Sequence, residues 1–252
     1  MLGELTYSTY IAVLLLASLS VLTTLLGVTL AIYVGKNERA IAIGIGFSAG
    51  IMLLISFFEL IPEAIDKTNI AITITACLLG MLIVAFLHWL IPHTHLIEEK
   101  GAFNRTALKS AYLVAFGLIL HDVPEGFAMA NSYVASPSLG ILVALAIAIH
   151  NIPEEFAMAV PIVTVKKKRF LYMAAFLSGL AEPLGAIIGL VAVHFNPIFN
   201  PLFMAFAAGA MIFVSVHELL PMARRYRKIH LFILGMIVSV FVYALLNAVI
   251  PT

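Results

Sequence analysis

Cysteine, charge and basic residues within apolar runs are what this 252-residue chain has little of. The single cysteine, Cys77, excludes an internal disulfide and any cysteine-based metal motif, and its apolar surroundings suit a packed small hydrophobe. Charged residues make up 11% of the chain and hydrophobic ones 63%, against about 25% and roughly 45–50% in soluble domains. That polar surface cannot cover a water-soluble body of this size. Disorder, a coiled coil and nucleic-acid binding through a basic face fall on the same composition, with a formal net charge of only +1. No Lys or Arg precedes Lys36, whereas a cleavable signal peptide carries a basic start. The first hydrophobic stretch is therefore expected to be a retained span.

What is present is long apolar runs. A spanning helix needs about 20 such residues, and eight runs qualify, near 8–34, 40–62, 70–92, 110–131, 139–163, 170–193, 201–222 and 230–250. The expected fold is all-α, a polytopic membrane protein forming one transmembrane domain over 1–252. Thirteen of the 14 basic residues fall in alternate loops and only Lys67 on the other side. By the positive-inside rule the termini lie outside the cytoplasm, in a multi-pass protein of the cell membrane. Lys166–Arg169 fits this topology signal better than a lipid-binding role.

Acids behave differently. Glu59, Asp122, Glu125, Glu154, Glu155, Glu182 and Glu218 all lie inside apolar spans, which contain no Lys or Arg. A mid-bilayer charge costs about 2.5–3.5 kcal/mol on insertion scales, so these acids must be protonated, hydrated or neutralised by cations from solution. Span four reads His121-Asp122-Val123-Pro124-Glu125-Gly126 and span five His150-Asn151-Ile152-Pro153-Glu154-Glu155. Residues four apart share a helix face, pairing His121 with Glu125 and His150 with Glu154. Asp122 and Asn151 form a second, oxygen-only edge. Pro124 and Pro153 free the carbonyls of Leu120 and Ile149, and interrupted mid-membrane helices recur in transporter sites. Imidazole with carboxylate suits zinc, iron, manganese, cobalt or cadmium. His194 stands alone and reads as a hydrogen-bonded core histidine.

The chain also repeats itself. His121–Ala130 matches His150–Ala159 at seven of ten positions, and Phe47–Ala64 matches Phe206–Ala223 at nine of eighteen. A weaker likeness joins Leu19–Gly27 to Leu177–Gly185. The matched spans run in opposite directions, which predicts an inverted 3+2+3 arrangement: repeat 1–92, central pair 110–163, repeat 170–252. Met52, near mid-span, is read as core packing or as an additional ligand. Glu59 lies towards the outer mouth, and Glu218, His217, His88, His93 and His95 towards the inner one. His93 and His95 read equally as solvated loop residues.

At HDVPEG, HNIPEE, AEPLGA (181–186) and SVHELLP (215–221) the chain resembles the ZIP (Zrt-, Irt-like) family of divalent-metal transporters, over all eight spans. The resemblance implies two adjacent metal positions. His121, Glu125, His150 and Glu154, with Met52, would hold one. Asp122, Asn151 and Glu182 would hold the other, with Glu125 and Glu154 bridging. It implies an exit cluster at His88, His93, His217 and Glu218, and an entrance at Glu59. It further implies Zn2+ or another divalent transition metal as substrate, import into the cytoplasm, no cofactor, and a homodimer in which spans 1, 4, 5 and 6 slide against 2, 3, 7 and 8. Glu155 departs from the usual glycine and could crowd a helix contact, add a ligand or face water. Asp122, for a commoner Asn, makes the second position more anionic. Two rivals remain: an intramembrane di-metal enzyme, which lacks the HExxH and Glu-x-x-His signatures, and a proton or monovalent-cation carrier.

Overall fold

The computed structural model describes residues 6–90, 106–163 and 167–251, and no strand occurs among them. The chain forms α1 (Tyr7–Val34), α2 (Glu38–Lys67), α3 (Ile70–Leu90), α4 (Thr106–Ala135), α5 (Pro137–Val163), α6 (Lys168–Phe195), α7 (Phe199–Arg225) and α8 (Ile229–Val249). Seven of them are long and apolar enough to cross a membrane over their described residues, and α4 is 30 residues long. The fold is all-α, as the composition requires. The expected spans hold to within a few residues, except that α2 and α7 run on past 62 and 222.

Local signals set the boundaries. Thr6 caps α1, its hydroxyl accepting from the Thr9 amide. Asn37 caps α2 through Oδ1, which accepts from the Arg39 and Ala40 amides at 3.2 Å each, where the first-turn amides lack helical partners. Gly35 ends α1 with a positive φ of 69°, which an L side chain adopts only under strain.

Two helices change pitch at matched places. In α2 the segment Ser56–Leu60 is a π-helical turn, with the Ile61 amide reaching the Ser56 carbonyl. In α7 Ser215–Leu219 does the same, Leu220 reaching Ser215. Both carry the string Ser-x-x-Glu-Leu-x-Pro. Pro62 and Pro221 have no N–H and crowd the carbonyl four residues back. Ser56 and Ser215 donate to the Met52 and Met211 carbonyls at 2.7 and 2.8 Å, a local bond that competes with the helical ladder. Widening the turn accommodates both.

Packing divides the bundle. α2 lies along α8 and α3 along α7, while α1 packs on α5 and α6, and α4 on α5 and α6; the two groups meet where α4 lies on α7 and α2 on α5. Glycines let the first two pairs touch backbone to backbone. A Cβ on Gly209 would come within 1.9 Å of the Cys77 carbonyl oxygen, and one on Gly235 within 2.1 Å of that of Ile43. Small residues that permit such approach are a usual means of joining helices in lipid. In their most apolar stretches α2 and α5 are 67% buried, α3 and α8 only 22% and 17%. The centre therefore belongs to α2 and α5, and α3 and α8 turn their leucines, isoleucines and phenylalanines outward.

Candidate metal centre

The seven acids picked out in the spans are all buried, from 0% exposure at Glu182 to 8% at Glu218, and no Lys or Arg is buried with them among the described residues. Helix crossings bring five of them together. α4 and α6 meet where Gly126 faces the Glu182 carbonyl and Gly185 faces that of Val123, each with room for no Cβ. α2 meets α5 where Gly44 faces Pro153, and the Ser48 hydroxyl donates to the His150 carbonyl at 2.8 Å. α1 meets α5 where a Cβ on Gly27 would lie 2.6 Å from the Ile152 oxygen and 2.7 Å from the Glu155 Cβ. Glu155 therefore does not crowd the bundle, because Gly27 makes room for it.

Three sets of side chains have potential ligand atoms within 4.8 Å of one another. Glu125, His150 and Glu154 form one, with His150 Nδ1 3.5 Å from Glu154 Oε2. Asp122, Glu125 and Glu182 form the second, so Glu125 belongs to both. Beside them Asn151 donates to Glu182 at 2.5 Å and Ser178 donates to Asp122 at 2.6 Å. Nε2 of His150, and one oxygen each of Glu125 and Glu182, are buried without a hydrogen-bond partner among the described residues, and His150 Nδ1 has only Glu154 Oε2 beside it. Buried polar atoms normally find partners. The first set mixes imidazole with carboxylate, the donor choice of zinc-like ions, and the second is oxygen-only.

The third set is His88, His121 and Glu218. His121 Nε2 lies 3.0 Å from Glu218 Oε2 and 3.1 Å from His88 Nε2, and His88 Nδ1 pairs with Glu218. The i, i+4 spacing puts His121 with Glu125, but the π turn of α7 aims Glu218 towards α3 and α4, where the imidazole meets it. The prolines also differ from expectation. α4 continues through Pro124 and α5 through Pro153, and the interruption falls in α6 at Leu180, two residues before Glu182.

The remaining candidates make other contacts. Met52 is buried, with its sulfur 3.5 Å from the Ser215 hydroxyl oxygen, whose proton goes to the Met211 carbonyl. His217 is exposed and stacks on Phe213 at 4.7 Å, away from the cluster of its neighbour Glu218. Glu59 is held by Tyr243 and Asn247 of α8. His93 and His95 lie outside the described residues. The serines, Tyr243 and Asn247 went unnoticed in the sequence.

A buried, anion-rich, imidazole-bearing centre within a helical bundle defines a membrane protein that handles cations. Residues 93–247 match the model of the ZIP Zinc transporter family, and the chain belongs to that family, whose members are transporters rather than enzymes. It is 39% identical to the zinc transporter ZupT of Streptococcus mutans serotype c, over 91% of this chain and 94% of the relative. The zinc transporters ZupT of Chlorobium limicola and Corynebacterium aurimucosum are 39% and 38% identical, over 94% and 91% of this chain and 97% and 93% of theirs. With its apolar helices, the chain is a multi-pass membrane protein.

Proposed function

We propose that this protein carries Zn2+, and other divalent transition metals of similar ligand preference, across the cell membrane into the cytoplasm, through a two-metal centre on α4, α5 and α6. The observation that carries this reading is the meeting of the two sets at Glu125. One offers His150 and Glu154, the other Asp122 and Glu182, buried with unpartnered ligand atoms and without a basic residue. Five carboxylates at Asp122, Glu125, Glu154, Glu155 and Glu182 need positive charge from outside the chain. The names of the relatives support zinc as substrate.

His121 would join the first position by turning from Glu218 to Glu125, which lies four residues along its own helix. In its present rotamer it stands between the mid-membrane sets and His88, so one imidazole can serve either side. Glu218 and His88 would then receive the ion on the cytoplasmic side, and Glu59 would meet it on the other. The placement of basic residues supports that orientation, with both termini outside the cytoplasm. The packing of α1 and α4 with α5 and α6, and of α2 with α8 and α3 with α7, supports two helix groups that meet where α4 lies on α7 and α2 on α5. The matched π turns support an inverted repeat. A homodimer completes this proposal.

Uptake of radiolabelled zinc into proteoliposomes tests the reading. Glu125→Ala removes the one residue common to both sets and should reduce uptake to the level of empty vesicles. Wild-type rates in this variant would overturn the assignment. Competition by cold zinc but not by sodium would exclude the monovalent carrier.

A further inference from the structure

Side chains join the two helix groups at three depths. In the middle the Ser48 hydroxyl of α2 donates to the His150 carbonyl of α5 at 2.8 Å. At one end His121 of α4 meets Glu218 of α7 and His88 of α3, at 3.0 and 3.1 Å. At the end bearing both termini, Asn200 in the first turn of α7 reaches across to α4. Its Nδ2 donates to the Asn131 main-chain carbonyl at 2.7 Å, with Asn131 Oδ1 at 3.4 Å. Ten residues separate Asn131 from His121, so the two end links stand about 15 Å apart along α4.

The end links differ in chemistry. The one at His121 is made of imidazole and carboxylate, groups that a zinc-like ion recruits. The one at Asn200 is an amide on a carbonyl, with no charge for an ion to meet. It is also shut away from water, since Asn131, Ser132 and Asn200 are each 0% exposed. Asn131 turns its own amide nitrogen back to the Phe127 carbonyl at 2.8 Å, so the donor between the helices is that of Asn200. The closure leaves two atoms unsatisfied. Ser132 Oγ and Asn200 Oδ1 are buried without a hydrogen-bond partner among the described residues, where most buried polar atoms have one. Parting α4 from α7 here breaks one short bond and gives water to both oxygens. Single hydrogen bonds between membrane helices are modest in strength, so such a link holds an end shut and still lets go. Ser132 stands seven residues beyond Glu125, two turns on and on nearly the same face of α4, so an opening here leads to the ligand sets.

We propose that Asn200 is the positioning residue of an outer latch. Its bond to the Asn131 carbonyl holds α4 on α7 and keeps the mouth bearing the termini closed, and an ion enters from that side only when the bond is released. This rests on the transport reading. Asn200 touches no ion, and acts by setting how often the ligand sets face the outside.

Cys77 is the sole cysteine of the chain, so reaction with a water-soluble methanethiosulfonate reports one chosen position. Ser132→Cys in a Cys77→Ser background reads the latch in purified protein in detergent, each variant first checked for a single monodisperse peak. Modification should be slow while Asn200 is in place. Asn200→Ala removes the donor, and Asn200→Leu removes it while nearly keeping the volume. Both should speed modification roughly three- to thirtyfold, as loss of one interhelical hydrogen bond implies. The native Cys77, on α3 against Gly209 of α7, should react at one rate with and without Asn200. An unchanged rate at position 132 in both variants overturns the proposal. So does a rise of equal size at Cys77, which marks general loosening, and so does a rise in Asn200→Ala that Asn200→Leu abolishes, which marks packing. In proteoliposomes both variants should lower the KM for zinc, because a larger fraction of the protein then offers its ligands to the outside. A merely structural role would lower Vmax at unchanged KM, and that result also overturns the proposal. If wild-type vesicles take up no zinc while modification at 132 still responds to Asn200, the transport reading fails and the latch stands.

Discussion

Replacing Gly126 by alanine adds one carbon atom at the crossing that assembles the second ligand set. The new Cβ would lie 2.2 Å from the Glu182 carbonyl oxygen and 2.8 Å from the Ala186 amide nitrogen. Ordinary contact begins near ~3.5 Å, and both neighbours are backbone, so α4 and α6 must part by about 1 Å or more. Overpacking of this kind costs about 1–3 kcal/mol. The larger effect falls on the centre, because Asp122 and Glu125 travel with α4 and Glu182 with α6. Metal ligands tolerate only about ±0.2 Å, and disturbing what orients them costs on the order of 10–100-fold. Radiolabelled zinc uptake per unit of folded protein should therefore fall by roughly tenfold or more. Gly189→Ala, on the α6 side of the same helix pair, is the control. Its nearest neighbour, at 2.9 Å, is the terminal nitrogen of the Asn131 side chain rather than backbone, so the helices themselves need not part. Equal uptake by Gly126→Ala and wild type, in protein of unchanged folded yield, would refute the claim that this crossing sets the ligand geometry.

Ser178→Ala leaves Asp122 without its 2.6 Å donor, and should weaken zinc binding about tenfold or more with little loss of melting temperature. Competitive titration in detergent reads this. Asn37→Ala removes the acceptor for two first-turn amides of α2 and should cost roughly 1 kcal/mol of stability, read by thermal denaturation and restored by Asn37→Asp. Zinc affinity in that variant should stay at the wild-type value, since the cap lies far along α2 from the buried acids.

Apolar length and the placement of basic residues made the eight helices legible, because a bilayer demands both. The acids were legible for the opposite reason, since carboxylates are so costly there that each invites a cause. Their grouping was less so. Helical spacing joins His121 to Glu125, yet rotation about its side-chain bonds sends the imidazole to Glu218, a choice made by α7 and not by α4. The string Ser-x-x-Glu-Leu-x-Pro is visible twice, but that it widens the helix depends on a competition between hydroxyl, carbonyl and proline ring that periodicity does not report. Gly27 is 128 residues from Glu155, and only the crossing of α1 and α5 shows that one exists to accommodate the other.

Each widened turn holds one residue more than the same rise of regular helix would need. Deleting a single residue between Ser56 and Leu60, or between Ser215 and Leu219, would restore even winding and leave the helix beyond it in place, while the residues inside the turn change direction. Glu59 or Glu218, which lie inside these turns, would then no longer point at its partner, although every other amino acid was still present. Segment length is thus as much a determinant of the two gateways as side-chain identity, and homologues one residue shorter there would offer the passing ion a different set of atoms.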